Sequence, residues 1–251
     1  MKNFSTSDPL FSRNLSLNLG GKIMDLSTPR VMGIINATPD SFYEGSRVPE
    51  PAQAVAKAIE MIRQGADIID VGAVSTRPGS REISESEELE RLSPVLEALR
   101  AEIPNFPISV DTWRSGVARV VCERFGIQLI NDISAGILDP DMFSTMAQLG
   151  IPYIIMHMQG TPDSMQDDPS YENVVDELLQ FFAERVHKLR KLGLNDMIID
   201  PVFGFFKTLE QNYQLLGQFD AFRMFELQLM AGLSRKYMIF KILESKPEEA
   251  I

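Results

Sequence analysis

The sequence predicts an α/β fold in which a parallel sheet curls into a barrel. Short apolar runs alternate with segments of helical periodicity, seven times along the chain. The runs are continuous rather than alternating in polarity, so they read as strands covered on both faces. Seven or eight such units in about 220 residues suit a closed barrel, with an open doubly wound sheet as the alternative.

The elements follow in order. LSLNLGGKIMDLS places Leu15, Leu17 and Leu19 before a Gly-Gly turn, which predicts a β-hairpin. It reads as a plug for the N-terminal mouth of the barrel, and residues 1–30 are expected to form this extension, with the barrel over 31–251. VMGIIN at 31–36 leads into AQAVAKAIEMIRQG, which stops at Gly65. DIIDVG at 67–72 precedes ELERLSPVLEALRAEI, and FPISVD at 106–111 precedes SGVARVVCERFG. IQLIND at 127–132 leads into PDMFSTMAQLG, and PYIIMH at 152–157 leads, after a loop, into ENVVDELLQFFAERVHKLRKLG. MIID at 197–200 precedes LEQNYQLLGQF, and LQLMAG at 227–232 precedes SRKYMIFKILES. Low-complexity tracts, linkers and sequence repeats are absent.

Composition narrows the function. A net charge of −11 argues against a nucleic-acid partner, because polyanions need a basic surface. No apolar run reaches the length of a membrane span. The N-terminus carries no apolar signal core, so a cytoplasmic home is expected. Cys122, the only cysteine, sits on an apolar helical face and reads as a packing thiol in a reducing compartment.

The strand ends carry the chemistry. They close on Asn36, Asp70, Asp111, Asn131 with Asp132, His157, Asp200, and Ser234-Arg235-Lys236 just past Gly232. In a parallel barrel these ends form one ring, where active sites lie. Asp111, Asn131 and Asp200 on different strands suit a flat heterocycle. A carboxylate facing an N–C–N edge accepts two parallel hydrogen bonds. The plainer role for each is a strand-end cap. Arg77 in STRPGS suits an anion, against the plainer reading of a solvated loop arginine. Ser234-Arg235-Lys236 opening the last helix, with Lys207 nearby, is expected to make an anion site. His157 is expected to be hydrogen-bonded in the barrel wall and His187 to be a surface residue. Two histidines and one cysteine give no zinc spacing. A Mg²⁺ held by ligand phosphates, with Asn36 as a protein ligand, remains open.

IINATPDSF, STRPGS, SVDTWRS, INDIS, MHMQGTPDSMQ, DPVFGFFKT and GLSRK, in this order, resemble the dihydropteroate synthase family over residues 31–251. The resemblance implies a TIM-type (β/α)8 barrel. It implies an enzyme that joins 6-hydroxymethyl-7,8-dihydropterin pyrophosphate to p-aminobenzoate in folate biosynthesis, releases pyrophosphate, and is the target of sulfonamides. Carried over residue by residue, pterin contacts fall on Asp111, Asn131, Asp200 and Lys236, with Met156 beside the ring. Asn36 falls beside Mg²⁺ and pyrophosphate. Thr76 and Arg77 fall in the loop that holds the anion. Phe42, Pro78, Phe205, Lys207 and Ser234 fall around the p-aminobenzoate pocket. Arg77 and Lys236 take the catalytic part, helping pyrophosphate leave before the aniline nitrogen traps the pterin methylene cation. The reading allows a homodimer.

Some positions depart from the family pattern. Val202 stands where glycine is expected, Phe206 where a small residue is usual, and Val74 where glutamate is common. A valine there predicts strain if the loop needs positive φ. No eighth apolar strand precedes the end at SKPEEAI. The expectation is a fragment, or a barrel open between its first and seventh strands. Two other readings stand: a truncated pterin-binding barrel without turnover, and a methyltransferase acting on methyltetrahydrofolate.

Overall fold

The computed structural model describes residues 15–37, 51–74, 81, 83–158, 171–205 and 207–246. β1 (Ser16–Leu19) and β2 (Lys22–Asp25) pair antiparallel. Gly20 and Gly21 take φ of 62° and 89°, the left-handed conformations a two-residue hairpin turn needs. Leu17 and Leu19 pack on Ile68, Leu129, Ile154 and Ile198, the inward residues at the starts of four barrel strands. The hairpin is the expected plug.

The main sheet is parallel. It runs β3 (Met32–Asn36), β4 (Ile68–Gly72), β5 (Ile108–Asp111), β6 (Leu129–Asp132), β7 (Tyr153–Met156), β8 (Met197–Asp200) and β9 (Gln228–Leu229), paired in chain order. Among the described residues β3 and β9 are its edges. Ile34, which alternation turns inward on β3, is 56% exposed, so the lumen is open at that edge. Helices α1 (Pro51–Arg63), α2 (Glu85–Glu102), α3 (Ser115–Phe125), α4 (Met142–Leu149), α5 (Val174–Lys191) and α6 (Leu209–Gly217) follow the strands, as expected for right-handed βα units. Outward residues such as Ile69, Val110, Ile130, Ile155 and Ile199 pack on these helices in one buried core. Side-chain caps fix the starts of α2, α5 and α6. The Ser84 hydroxyl accepts from the Glu87 N–H, and Asn173 accepts from the N–H groups of Val175 and Asp176. Thr208 and Gln211 form a reciprocal capping box at α6.

The C-terminal part corrects the sequence reading. The seventh apolar run contributes only Gln228–Leu229 to the sheet. The last helix, α7 (Tyr237–Phe240), is a single turn instead of the long helix that SRKYMIFKILES predicts. Arg235 and Glu244 take φ of 57° and 49°, so the right-handed spiral cannot extend through either.

Candidate active site

The site is built on strand parity. Successive side chains on a strand point to opposite faces. Register pairs Gly72 with Asp111, Asp111 with Asn131, and Met156 with Asp200. Asp111, Asn131, Met156 and Asp200 therefore turn inward together, at the ends of β5, β6, β7 and β8. Asp111 lies over Gly72, where a Cβ would come within 3.2 Å of its Oδ2. A side chain at position 72 would press on the Asp111 carboxylate.

The same parity corrects part of the ring. Asp132 and His157 point outward. Asp132 is buried against the helices, where it accepts from the Tyr153 hydroxyl and the N–H groups of Ser134 and Gly136. His157 is buried in the barrel wall. Its ring meets Phe181 edge-on at 4.7 Å between centroids, and its Nδ1 has no hydrogen-bond partner among the described residues. Burial, with Lys207 and Arg185 nearby, pushes its pKa well below the usual histidine range. Asp70 is not a strand end either. β4 runs on to Gly72, so Asp70 lies a layer beneath the rim, 2% exposed.

Two electrostatic halves face each other. On the β4–β6 side, burial raises Asp70, and burial together with Asp70, Glu88 and Asp132 pushes Asp111 well above the ordinary carboxylate range. Glu88, itself buried, is paired with Arg114. On the β8 side, burial lifts Asp200 to about 6, although the Val202 N–H donates to its Oδ1 at 2.8 Å and Lys236 and Lys207 attract it. Burial lowers Lys207 to about 7 against the attraction of Asp200, with Lys236 adding repulsion. Lys236 is also lowered by burial, and its Nζ lies 4.1 Å from the centroid of the Phe205 ring.

The loop after β8 is shaped for this. Val202 takes φ of 60°, the strain that a valine at a glycine position predicts. Gly204, at φ of 93°, leaves room for Lys236, whose Cδ would lie 3.1 Å from a Cβ there. Asn212 braces the loop by accepting from the Gly204 N–H at 2.6 Å and donating to the Lys207 and Thr208 carbonyls. Sequence reasoning missed Asn212, Gly72 and the Glu88–Arg114 pair. No motif marks them, because each acts through a neighbour distant in sequence or through empty space.

The remaining predicted residues divide. Ser234 is exposed in a turn, and Phe205 is 38% exposed. Lys236 stands at the start of the one-turn α7, and the Asp200 carboxylate attracts its ammonium. Asn36 stands exposed at the rim end of β3. Phe42, Thr76, Arg77, Pro78 and Phe206 lie outside the described residues. His187 is exposed, as expected, and burial pushes the partly buried Cys122 thiol up to about 12, as a packing role implies.

A family model described as pterin binding enzyme matches residues 32–250. The dihydropteroate synthase of Escherichia coli K12 is 42% identical over 233 residues, covering 92% of this chain and 82% of the relative. The Yersinia pestis dihydropteroate synthase, solved with a sulfonamide drug complex, superposes with a TM-score of 0.85 at 40% identity. It covers 94% of this chain and 86% of its own. The Xanthomonas albilineans enzyme solved with 4-aminobenzoic acid gives 0.83 at 36% identity, over 94% of this chain and 85% of that one. With the inward carboxylates and the lysine pair in place, these likenesses establish that the chain belongs to the pterin-binding enzyme family and, within it, to the dihydropteroate synthases.

Proposed function

We propose that this chain binds a dihydropterin pyrophosphate between its two electrostatic halves and joins it to p-aminobenzoate. The observation that carries the reading is the inward convergence of Asp111, Asn131, Met156 and Asp200 from consecutive strands, with Lys207 and Lys236 beside Asp200. Asp200 accepts from the N–C–N edge of the pterin, Asn131 and Asp111 take further polar atoms, and Met156 packs on the ring. Lys236, stacked on Phe205, reaches the pterin and the developing negative charge. Phe205, Lys207 and Ser234 border the p-aminobenzoate side, and Thr76 and Arg77 hold the anion. A relative from X. albilineans has been solved with 7,8-dihydropteroate, which supports a combined pterin and p-aminobenzoate site.

The bond between the pterin methylene and the pyrophosphate oxygen breaks, and that oxygen leaves with the electron pair. The aniline nitrogen then forms its bond to the methylene and loses a proton. The contribution of these residues is orientation and charge stabilisation, with no covalent nucleophile.

A Mg²⁺ ion fits this arrangement in a limited way. Among the described residues no group of three His, Cys, Asp or Glu side chains is placed to hold a metal. Mg²⁺ takes chiefly phosphate and water oxygens, so one amide oxygen from the exposed Asn36 is enough. When bound, it supplies positive charge to the departing pyrophosphate.

The lone thiol and the acidic surface support cytoplasmic residence. Apolar Tyr237, Ile242 and Leu243 are 51%, 57% and 63% exposed, which supports a homodimer that covers them. Sedimentation at rising concentration tests that assembly. Incubation with pterin pyrophosphate and p-aminobenzoate tests the activity. Pyrophosphate release that needs both substrates is the expected result. Pterin binding without release would support a non-catalytic barrel instead.

A further inference from the structure

The structure assigns Asp70 the task of fixing which end of the Asn131 carboxamide the pterin meets. This rests on the reading that the pterin lies against Asn131. A carboxamide offers either an oxygen or an NH₂ group to a ligand, and a half-turn of the side chain exchanges them. Nothing in Asn131 alone selects between them.

Asp70 makes the selection. Its Oδ2 accepts from Asn131 Nδ2 at 3.1 Å. That oxygen takes the amide N–H, so Asp70 holds the NH₂ group beneath the rim. The other end of the amide, Oδ1, is buried and has no hydrogen-bond partner among the described residues. A buried amide oxygen without a donor is costly. A ligand N–H would satisfy it, whereas a ligand lone pair in the same place would be repelled. Asn131 is thus presented as an acceptor, complementary to an N–H on the pterin edge. Asp70 is 2% exposed and lies beneath the rim, in register with Ser109, so it acts through Asn131. It is a positioning residue that sets specificity.

The test is a double-mutant cycle on pterin binding, read by calorimetry on the full chain with the pterin alcohol as probe. Asp70→Asn keeps the side-chain shape but removes the obligatory acceptor, so the Asn131 amide is free to turn. Pterin affinity is expected to fall about tenfold, the scale of one hydrogen bond. In an Asn131→Ala background the same substitution is expected to change nothing further. The KM for pterin pyrophosphate is expected to rise, with the KM for p-aminobenzoate unchanged. An equal loss in both backgrounds, or no loss in the native background, overturns the assignment. Unchanged affinity on Asn131→Ala alone overturns the reading beneath it, that the pterin touches Asn131. Should Asp70→Asn fail to fold, Asp70→Ser gives the same cycle with a smaller side chain.

Discussion

At Val202 backbone strain and side-chain burial oppose one another. Its φ is 60°, and its side chain is 3% exposed. Replacement by alanine removes two buried carbons and keeps the strained backbone, at a cost of about 1.6 kcal/mol at ~0.8 kcal/mol per carbon. Replacement by glycine removes one more carbon, about 0.8 kcal/mol, and adds about 0.5–1 kcal/mol of chain entropy. It also releases about 1–2 kcal/mol of left-handed strain. These last contributions nearly cancel. Val202→Gly is therefore expected to be about as stable as Val202→Ala, within roughly 0.8 kcal/mol, the sum of the terms just given. At an ordinary φ the glycine variant would be the weaker by about 1.5 kcal/mol. Urea unfolding of the three proteins, compared at equal m-values, reads the difference directly. A glycine variant less stable than the alanine variant by that full amount would refute the claim that strain is stored at Val202.

Other outcomes follow from the same site. Asp200→Asn should weaken pterin binding by roughly 2–4 kcal/mol, the scale for breaking a buried charge-assisted contact, as calorimetry can check. Lys207 titrates near 7 in the folded protein, below its unfolded value of 10.5. The unfolded chain then holds more protons between those values, so stability should rise with pH across that window, by up to about 1.4 kcal/mol per unit. Denaturation midpoints measured from neutral to alkaline pH should show the slope, and Lys207→Met should flatten it. Removing Mg²⁺ should reduce binding of the pyrophosphate substrate far more than binding of the pterin alcohol, and equal effects on both ligands would exclude a metal shared with the leaving group. Gly204→Ala should raise the KM for pterin pyrophosphate, because the new Cβ would crowd Lys236, whose Cδ lies 3.1 Å from that position.

The sequence by itself determined the alternation of strand and helix, the hairpin and the polar strand ends, because these rest on local periodicity and turn chemistry. Val202 was legible as a site of strain because a β-branched residue stood where the family pattern has glycine. What only the tertiary structure decided was which way each strand end points. Asp111 and Asn131 face the lumen while Asp132, the next residue, faces the helices, since a step of one residue reverses the side chain. No local pattern in INDIS tells Asn131 from Asp132; the register against β5 and β7 does. Asp70 reads as a strand end, yet β4 continues past it and leaves it on the floor, where it meets an asparagine 61 positions away. The last helix shows the converse limit. Its helical spacing spans SRKYMIFKILES, but the positive φ of Arg235 and Glu244 confines any helix to the residues between them, and only Tyr237–Phe240 is helical. The perturbed carboxyl and lysine groups were beyond the sequence for the same reason. Burial and the approach of distant charges set their pKa values, and both exist only once the strands are side by side.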